Sequence, residues 1–436
     1  MYQIPPGYRL DYESGIVSLG PYWNPYAESL VESLSLEDAA ALALNELELI
    51  VKSALLGRRS ACLISGGLDS GVIAAMASKI AKETGGQTSL LTLGPGVDSV
   101  EERFLQKKLA RDLAVELVVS RRVAPRLQLE PLRALNRKMD APAGGLFTGA
   151  YSQLMEEAVE HEFEVLFTGE GGDELFACTP LIIADLIGRG RLLAAVQALA
   201  FFASSDTSYT THGLIWRFGM VPLIVSACGA RFPAKLLGAP VEAELGFLTE
   251  FFGDFAGSVL AAYRSLAEES QREAESGASF SAHSCYQQIV EIPFYEAVWP
   301  YQHVGPQVVS PLVHLQVLRA AMALRLTDRV GTWVGYRPKE ILKLIGQRIV
   351  STAVWDHPKI GVSNLLARMT ADMEGELVAE LLSPGFEELG IQPSQRLLDP
   401  RNVPTGVSLY WSLFLTLKIW YEELRHGAAA RKQTLG

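Results

Sequence analysis

Paired cysteines, a lysine-bearing phosphate loop, an excess of positive charge and a long apolar run are all missing from this chain. Each absence removes a class of function. The four cysteines, Cys62, Cys178, Cys228 and Cys285, are scattered through 436 residues with no C-x-x-C pair, which argues against zinc ribbons and dithiol chemistry. Isolated cysteines read as the reduced thiols of a cytoplasmic enzyme, and nothing at the start reads as a secretory signal. Acidic residues outnumber basic ones 49 to 38, a net charge of −11, so the basic footprint of a nucleic-acid binder is absent. The longest apolar run, around Leu214 to Cys228, is broken by Arg217 and Pro222. It is too short to span a bilayer, and no membrane attachment is expected. There is no internal repeat and no low-complexity tract.

What is present begins with Ala61-Cys62-Leu63-Ile64, a buried-strand pattern, followed by Ser65-Gly66-Gly67-Leu68-Asp69-Ser70. The spacing predicts a strand, a glycine-rich turn and a helix starting near Ser70. Gly66 and Gly67 let a phosphate approach the backbone, and the helix N-terminus offers it free N–H groups and a positive dipole end. Ser65 and Ser70 add hydroxyl donors, and Asp69 adds a carboxylate suited to Mg²⁺. The loop lacks the Gly-Lys-Ser/Thr ending of a Walker A motif and the G-x-G-x-x-G spacing of a dinucleotide fingerprint.

A second constellation follows the short strand pattern Val165-Leu166-Phe167-Thr168. It reads Gly169-Glu170-Gly171-Gly172-Asp173-Glu174-Leu175-Phe176. Three glycines among acids suggest a strand end opening on a ligand, since open α/β sheets bind at the carboxyl ends of their strands. Asp173 is a second candidate Mg²⁺ ligand. With Asp69 it makes a two-carboxylate site that leaves room for pyrophosphate oxygens and water. Glu170 is placed to act as a base or to orient a nucleophile.

Together these motifs resemble the synthetase domain of the asparagine synthetase family, which includes asparagine synthetases, β-lactam synthetases and lasso-peptide macrolactam cyclases. The first loop alone resembles that of the ATP pyrophosphatases, which split ATP between the α and β phosphates. Weaker segments agree: Asp98 to Glu101 after the strand Ser89–Leu93, Val308 to Leu312, Arg337 to Lys343, and His357-Pro358-Lys359-Ile360-Gly361-Val362. The resemblance covers roughly residues 4 to 425. It implies that ATP and Mg²⁺ are used, with nucleotide held by Ser65, Gly66, Gly67, Leu68, Asp69, Ser70, Leu93, Gly169 and Lys339, and metal by Asp69 and Asp173. Lys359 matches the family's catalytic lysine, whose ammonium neutralises charge on the adenylate and leaving group. Lys339 and Lys343 are candidate phosphate contacts.

The expected fold is α/β, a parallel sheet with helices on both faces, followed by a mainly helical part. Strands are predicted near 60–64, 88–93, 115–119 and 164–168. Helices are predicted near 70–83, 99–113 and 149–160, and from a capping box at Ser35-Leu36-Glu37-Asp38 to about Leu56. Residues 1–34 read as irregular or short strands, 35–180 as the nucleotide-binding core, and 181–436 as a helical region that carries the lysine loop. Met139 to Gly145 reads as a loop lining the nucleotide or substrate pocket, residues 266–280 as the most polar segment, and Tyr410 to Leu424 as an amphipathic packing helix.

Ile4-Pro5-Pro6-Gly7 resembles the end of the family's glutaminase domain, and no cysteine stands at the start. The expected nitrogen source is therefore free ammonia, an amine of the substrate, or ammonia from a separate protein. A separate protein could equally deliver a peptide. Glu170 resembles the asparagine synthetases, whereas Pro358-Lys359-Ile360-Gly361-Val362 looks closer to the β-lactam synthetases. The expected activity is an ATP-dependent amide synthetase of specialised metabolism that joins a small-molecule or peptide carboxylate to an amine, including lactam closure within one molecule. The alternatives are ammonia-dependent asparagine synthesis and the synthetase subunit of a split glutamine-dependent enzyme. A non-catalytic binding relative is disfavoured by intact Asp69, Asp173 and Lys359. ATP-dependent tRNA thiolation is disfavoured by the missing basic face and cysteine pair. The sequence carries no sign of oligomeric state.

Overall fold

The structure is a computed structural model. It describes residues 8–23, 34–205 apart from 95, 96, 125, 140, 147 and 178, then 210–228, 280, 281, 284, 305–330, 339–356, 376, 377, 379, 380, 383, 385 and 415–426. Lys359 and its loop lie outside the described residues, as do nearly all of 266–280 and residues 410–414 of the expected C-terminal helix.

Five strands form one sheet: β3 (Arg59–Leu63), β4 (Gln87–Thr92), β5 (Glu116–Val119), β6 (Val165–Phe167) and β7 (Gln307–Val309). Their spatial order is β5-β4-β3-β6-β7, and every neighbouring pair is parallel. An earlier hairpin, β1 (Tyr8–Glu13) and β2 (Ile16–Pro21), stands apart from this sheet. Its turn residues Ser14 and Gly15 have φ of 52° and 85°, the two positive values that a tight hairpin with the native twist requires.

The sheet is buried on both faces, and the strands show why. Cys62, Leu90, Val165 and Phe167 point into one apolar cluster, and Ala61, Leu91 and Leu166 into the other. This is the period-2 alternation of a strand covered on both sides. The first face carries α1 (Leu36–Leu55), α2 (Leu68–Thr84) and α3 (Val100–Leu113). The second carries α4 (Leu129–Asn136), α5 (Thr148–Glu160) and the helix at 415–426. Beyond β6 come α6 (Gly172–Phe176), α7 (Ile182–Gly188) and α8 (Leu192–Ser205), then α9 (Thr211–Leu214), a π-turn over Ile215–Met220, and α10 (Val221–Cys228). After β7 come α11 (Leu315–Met322) and α12 (Leu326–Val330), and then α13 (Glu340–Ile349), which returns to the first face.

The four expected strands and four expected helices form within a residue or two of their predicted bounds. The predicted helices do not include α4 or α6, and β7 lies in a region expected to be helical. β7 has three residues and no alternation of its own. It forms because β6 presents an open edge, which Val308 and its neighbours complete. α2 begins at Leu68, two residues before the expected start, with Gly67 as its N-cap. Asp69 and Ser70 therefore lie in its first turn. At α1, Ser35 accepts the Asp38 N–H at 3.2 Å, while the Asp38 carboxylate takes the Ser35 hydroxyl rather than closing a reciprocal box. The full reciprocal box occurs at α3, between Ser99 and Glu102.

The chain runs outward from β3 to β4 and β5, then crosses back to β6 on the other side of β3. That reversal opens a crevice above the carboxyl ends of β3 and β6, the usual ligand position in such sheets. Among the described residues no helix is long and apolar enough to cross a membrane.

Candidate active site

Both sequence motifs arrive at this crevice. After β3 the chain turns through Ser65, Gly66 and Gly67 into α2. Gly66 has φ of +86°, and a Cβ there would sit 3.0 Å from the Glu102 carbonyl at the start of α3. The serines brace the turn. The Ser65 Oγ accepts the Gly67 N–H at 3.3 Å, the Ser65 N–H donates to Ser70 Oγ at 3.3 Å, and the two hydroxyls lie 3.4 Å apart. No side chain caps the N-terminus of α2, whereas serines cap α1 and α3. The start of α2 therefore keeps its positive end available to an anion.

The second loop presses against the first. A Cβ on Gly169 would fall 2.6 Å from the Ser70 nitrogen, and one on Gly172 would fall 2.3 Å from the Asp69 carboxyl carbon. Gly171, at φ +90°, faces Val313 just as closely. These glycines were read as clearing space for a ligand. In the structure Gly169 and Gly172 let the two loops touch, which brings Asp69 beside Asp173, while Gly171 makes room for Val313. Below them, Thr168 donates its N–H to the Val309 carbonyl at 3.0 Å and shares a 2.8 Å hydroxyl contact with Ser310. The late-added β7 thus anchors the loop that carries Glu170.

Among the described residues, the cation that bridges the two aspartates is Lys339. Its Nζ bonds the Asp69 carboxylate and lies 2.8 Å from Asp173 Oδ1. The residue is 7% exposed, caps α13 with φ of 62°, and donates its backbone N–H to the Phe176 carbonyl at 3.2 Å. α13 is pinned to α2 by Trp355, whose ring fills a slot between Gly71 and Gly346. A Cβ on either glycine would lie about 3 Å from the indole. The Trp355 Nε1–H donates to the Val350 carbonyl at 2.9 Å. Burial alone lowers the Lys339 ammonium, but the charges and hydrogen bonds of Asp69 and Asp173 outweigh it and raise the group overall.

Acid predominates around this lysine. Burial, with the nearby charges of Glu174, Asp173 and Asp69, pushes the Glu170 carboxyl up to about 7. Burial likewise raises Glu174, with Asp173 and Asp69 adding to the rise and Lys339 opposing it. Tyr151 on α5 is raised by burial and by the charge of Glu170. Sequence reading missed Glu174 and Tyr151 as neighbours of the site. The raised Glu170 is what a base working near neutral pH needs.

The other expected site residues are placed as follows. Leu68 begins α2. Leu93, directly after β4, packs against the second apolar cluster. Asp98 is buried and closes the turn after β4, accepting from the Thr92 hydroxyl at 2.7 Å and the Gly94 N–H at 3.0 Å. Lys343 sits one turn beyond Lys339 on α13. In the expected loop at 139–145, the Ala143 N–H donates to the Asn136 side chain at 3.1 Å.

Among the described residues no group of three or more His, Cys, Asp or Glu side chains is arranged as a metal cage. A pair of carboxylates converging on one cation position, here held by an ammonium, still fits Mg²⁺. That ion takes one or two carboxylates and draws its remaining ligands from phosphate and water. A family model described as asparagine synthase matches residues 46–422 of the chain. No curated protein matches it significantly.

Proposed function

The chain belongs to the asparagine synthase family of ATP-dependent, AMP-forming carbon–nitrogen ligases, and we propose that its own product is an amide of specialised metabolism. On this reading one substrate supplies the carboxylate, and the amine comes from the same molecule or from a second one. The observation that carries the reading is the meeting of Asp69, Asp173 and Lys339 at the crevice above β3 and β6, with Glu170 beside them at about neutral pKa.

The residues divide the work in two. The uncapped start of α2 and the Ser65 and Ser70 hydroxyls receive the phosphate chain. Asp69 and Asp173 are the pair that would hold Mg²⁺, which when bound neutralises charge on phosphate oxygens. Lys339 supplies a further positive charge close by. The substrate carboxylate oxygen bonds to the α-phosphorus of ATP, the bond to the β-phosphate oxygen breaks, and pyrophosphate leaves. Positioning and charge supply most of this step, since the protein forms no covalent bond. In the second step the amine nitrogen bonds to the acyl carbon and AMP leaves. Glu170 takes the proton that the amine gives up. Lys359, by its resemblance to the family's lysine, stabilises the charge on the departing adenylate.

The resemblance of Pro358 to Val362 to the β-lactam synthetases supports an internal amine. Glu170 favours a second reading, asparagine formation from aspartate and ammonia. Pyrophosphate release with Mg²⁺–ATP separates them. Release with aspartate plus ammonium, yielding asparagine, would establish the second reading. Release only with a substrate bearing its own amine, yielding AMP and a product lighter by one water, would establish lactam synthesis.

A further inference from the structure

Lys339 stands in a costly place. A cation at a helix N-terminus meets the positive end of the helix dipole. A non-glycine residue at φ of 62° is uncommon, and a lysine 7% exposed is rarely tolerated without partners. Such features persist where surrounding groups over-determine them, and they gather at functional sites. Here the backbone is fixed by the bond to the Phe176 carbonyl, and the ammonium is fixed by Asp69 and Asp173. Gly169 and Gly172 let the two loops approach closely enough for the aspartates to stand side by side, where any side chain would clash with Ser70 or Asp69.

We propose that Lys339 is an internal stand-in for the metal: its ammonium holds Asp69 and Asp173 together while no metal is bound, and yields those carboxylates when Mg²⁺ arrives. This rests on the reading above that the two aspartates are the metal's ligands. The physical reason for the exchange is charge. Asp69 and Asp173 meet at the Lys339 ammonium, and Glu170 and Glu174 stand on either side of Asp173 in the chain. Removing the ammonium takes from both aspartates an attraction that they share. A divalent ion binds the same oxygens more strongly than the ammonium does and repels it from its position. The flexible four-carbon stem allows the ammonium to leave while the start of α13 stays anchored by Phe176 and Trp355.

A coupling between ligands follows. In the wild type Mg²⁺ must displace the ammonium, so the metal alone binds weakly. A nucleotide's phosphates offer that ammonium another anion and so strengthen metal binding, and the metal strengthens nucleotide binding by the same factor.

The test is thermal unfolding and calorimetric Mg²⁺ titration of the full chain, using wild type, K339M, the milder K339Q and D69N/D173N, with and without a non-hydrolysable ATP analogue. Without metal, both lysine variants should melt at least about 3 °C below wild type, and adding D69N/D173N to either should remove that loss. Saturating Mg²⁺ should restore most of it. Mg²⁺ alone should bind K339M about tenfold more tightly than wild type, and the ATP analogue should enhance that binding less in K339M. If the lysine variants melt with wild type in the absence of metal, or gain no more from Mg²⁺ than wild type does, Lys339 is no stand-in. If D69N/D173N binds Mg²⁺ as well as wild type, the metal assignment itself is wrong, and the stand-in falls with it.

Discussion

Two clusters of buried charge hold this molecule together, and they are built on opposite plans. At the crevice, Asp69 and Asp173 share one described cation, Lys339, and Glu170 and Glu174 stand close to the same aspartates. On the other face of the sheet, Arg133 of α4 bonds Glu380, Glu422 at 3.0 Å and Glu423 at 3.4 Å. Arg137 meets Glu423 at 3.2 Å, and Lys418, fully buried, meets Glu422 at 3.1 Å together with the Ser383 hydroxyl and the Glu380 carbonyl. Among the described residues the second cluster is nearly matched: Arg133, Arg137 and Lys418 meet Glu380, Glu422 and Glu423, and at its exposed end Arg137 also meets Glu130 at 2.7 Å. It docks the 415–426 helix onto α4. Among the described residues the first carries excess acid, raised carboxyls and a lysine in a left-handed backbone. Burial alone therefore does not mark a site; unbalanced burial does.

The largest expected effect breaks the unbalanced cluster at its centre. D69N or D173N should lower pyrophosphate release by about 10³-fold or more while circular dichroism and melting show an intact fold. Full activity in either variant would remove the metal assignment. E170Q should come next. Amide formation should fall roughly 10²–10⁴-fold with carboxylate-dependent pyrophosphate release largely kept, and the rising limb of the pH–rate profile near 7 should vanish. A stability effect accompanies it. The Glu170 carboxyl is raised from 4.5 to about 7, so between those values the folded protein holds a proton that the unfolded chain has released. Stability therefore falls as pH rises through that window, by at most roughly 3 kcal/mol once pH passes 7. E170Q should melt above wild type at pH 8 and level with it near pH 4. Loss of activity without this pH-dependent gain would mean that Glu170 is not held at high pKa.

The unbalanced cluster was largely legible in the sequence, because its parts are local. Ser65 to Ser70 and Gly169 to Glu174 each compress glycine, acid and hydroxyl into a few residues at the end of an apolar strand. That density of turn residues survives any tertiary context. What was not legible is what depends on distant partners. β7 is three residues whose strand conformation is set by the edge of β6. Glu174 and Tyr151 matter only because folding brings them beside Glu170. Lys339 was chosen only as a phosphate contact, since nothing in Lys339 to Lys343 shows that its head lies between two aspartates 270 and 166 positions earlier. The matched cluster was not visible at all. Its partners, Arg133 and Glu380 to Glu423, are scattered charges that read singly as solvated surface.

The matched cluster supplies the reverse test. R133M would remove the guanidinium that Glu380, Glu422 and Glu423 share, leaving three largely buried carboxylates to Arg137 and Lys418 among the described cations. Losing one partner of a buried ion pair typically costs about 3–5 kcal/mol. The turnover rate of the folded fraction should stay within about twofold of wild type. If R133M instead abolished activity while melting normally, the two clusters would not be separable in the way their charge balance implies.

Arg122 sharpens the comparison at its small end. It too meets two glutamates, Glu156 at 3.3 Å and Glu160, and Glu160 raises its guanidinium. In contact geometry it resembles Arg133. The difference is exposure: the Arg122 side chain is 36% exposed against 22% for Arg133, and Glu160 is 57% exposed against 8% for Glu423. Water and salt already solvate these charges, so R122A should cost no more than about 1 kcal/mol, and less as ionic strength rises. Denaturant unfolding of R122A and R133M side by side at low and high salt measures this. A loss at Arg122 equal to that at Arg133 would show that the number of ion-pair contacts, rather than their removal from water, sets the strength of these clusters, and the contrast between matched and unmatched burial would lose its physical basis.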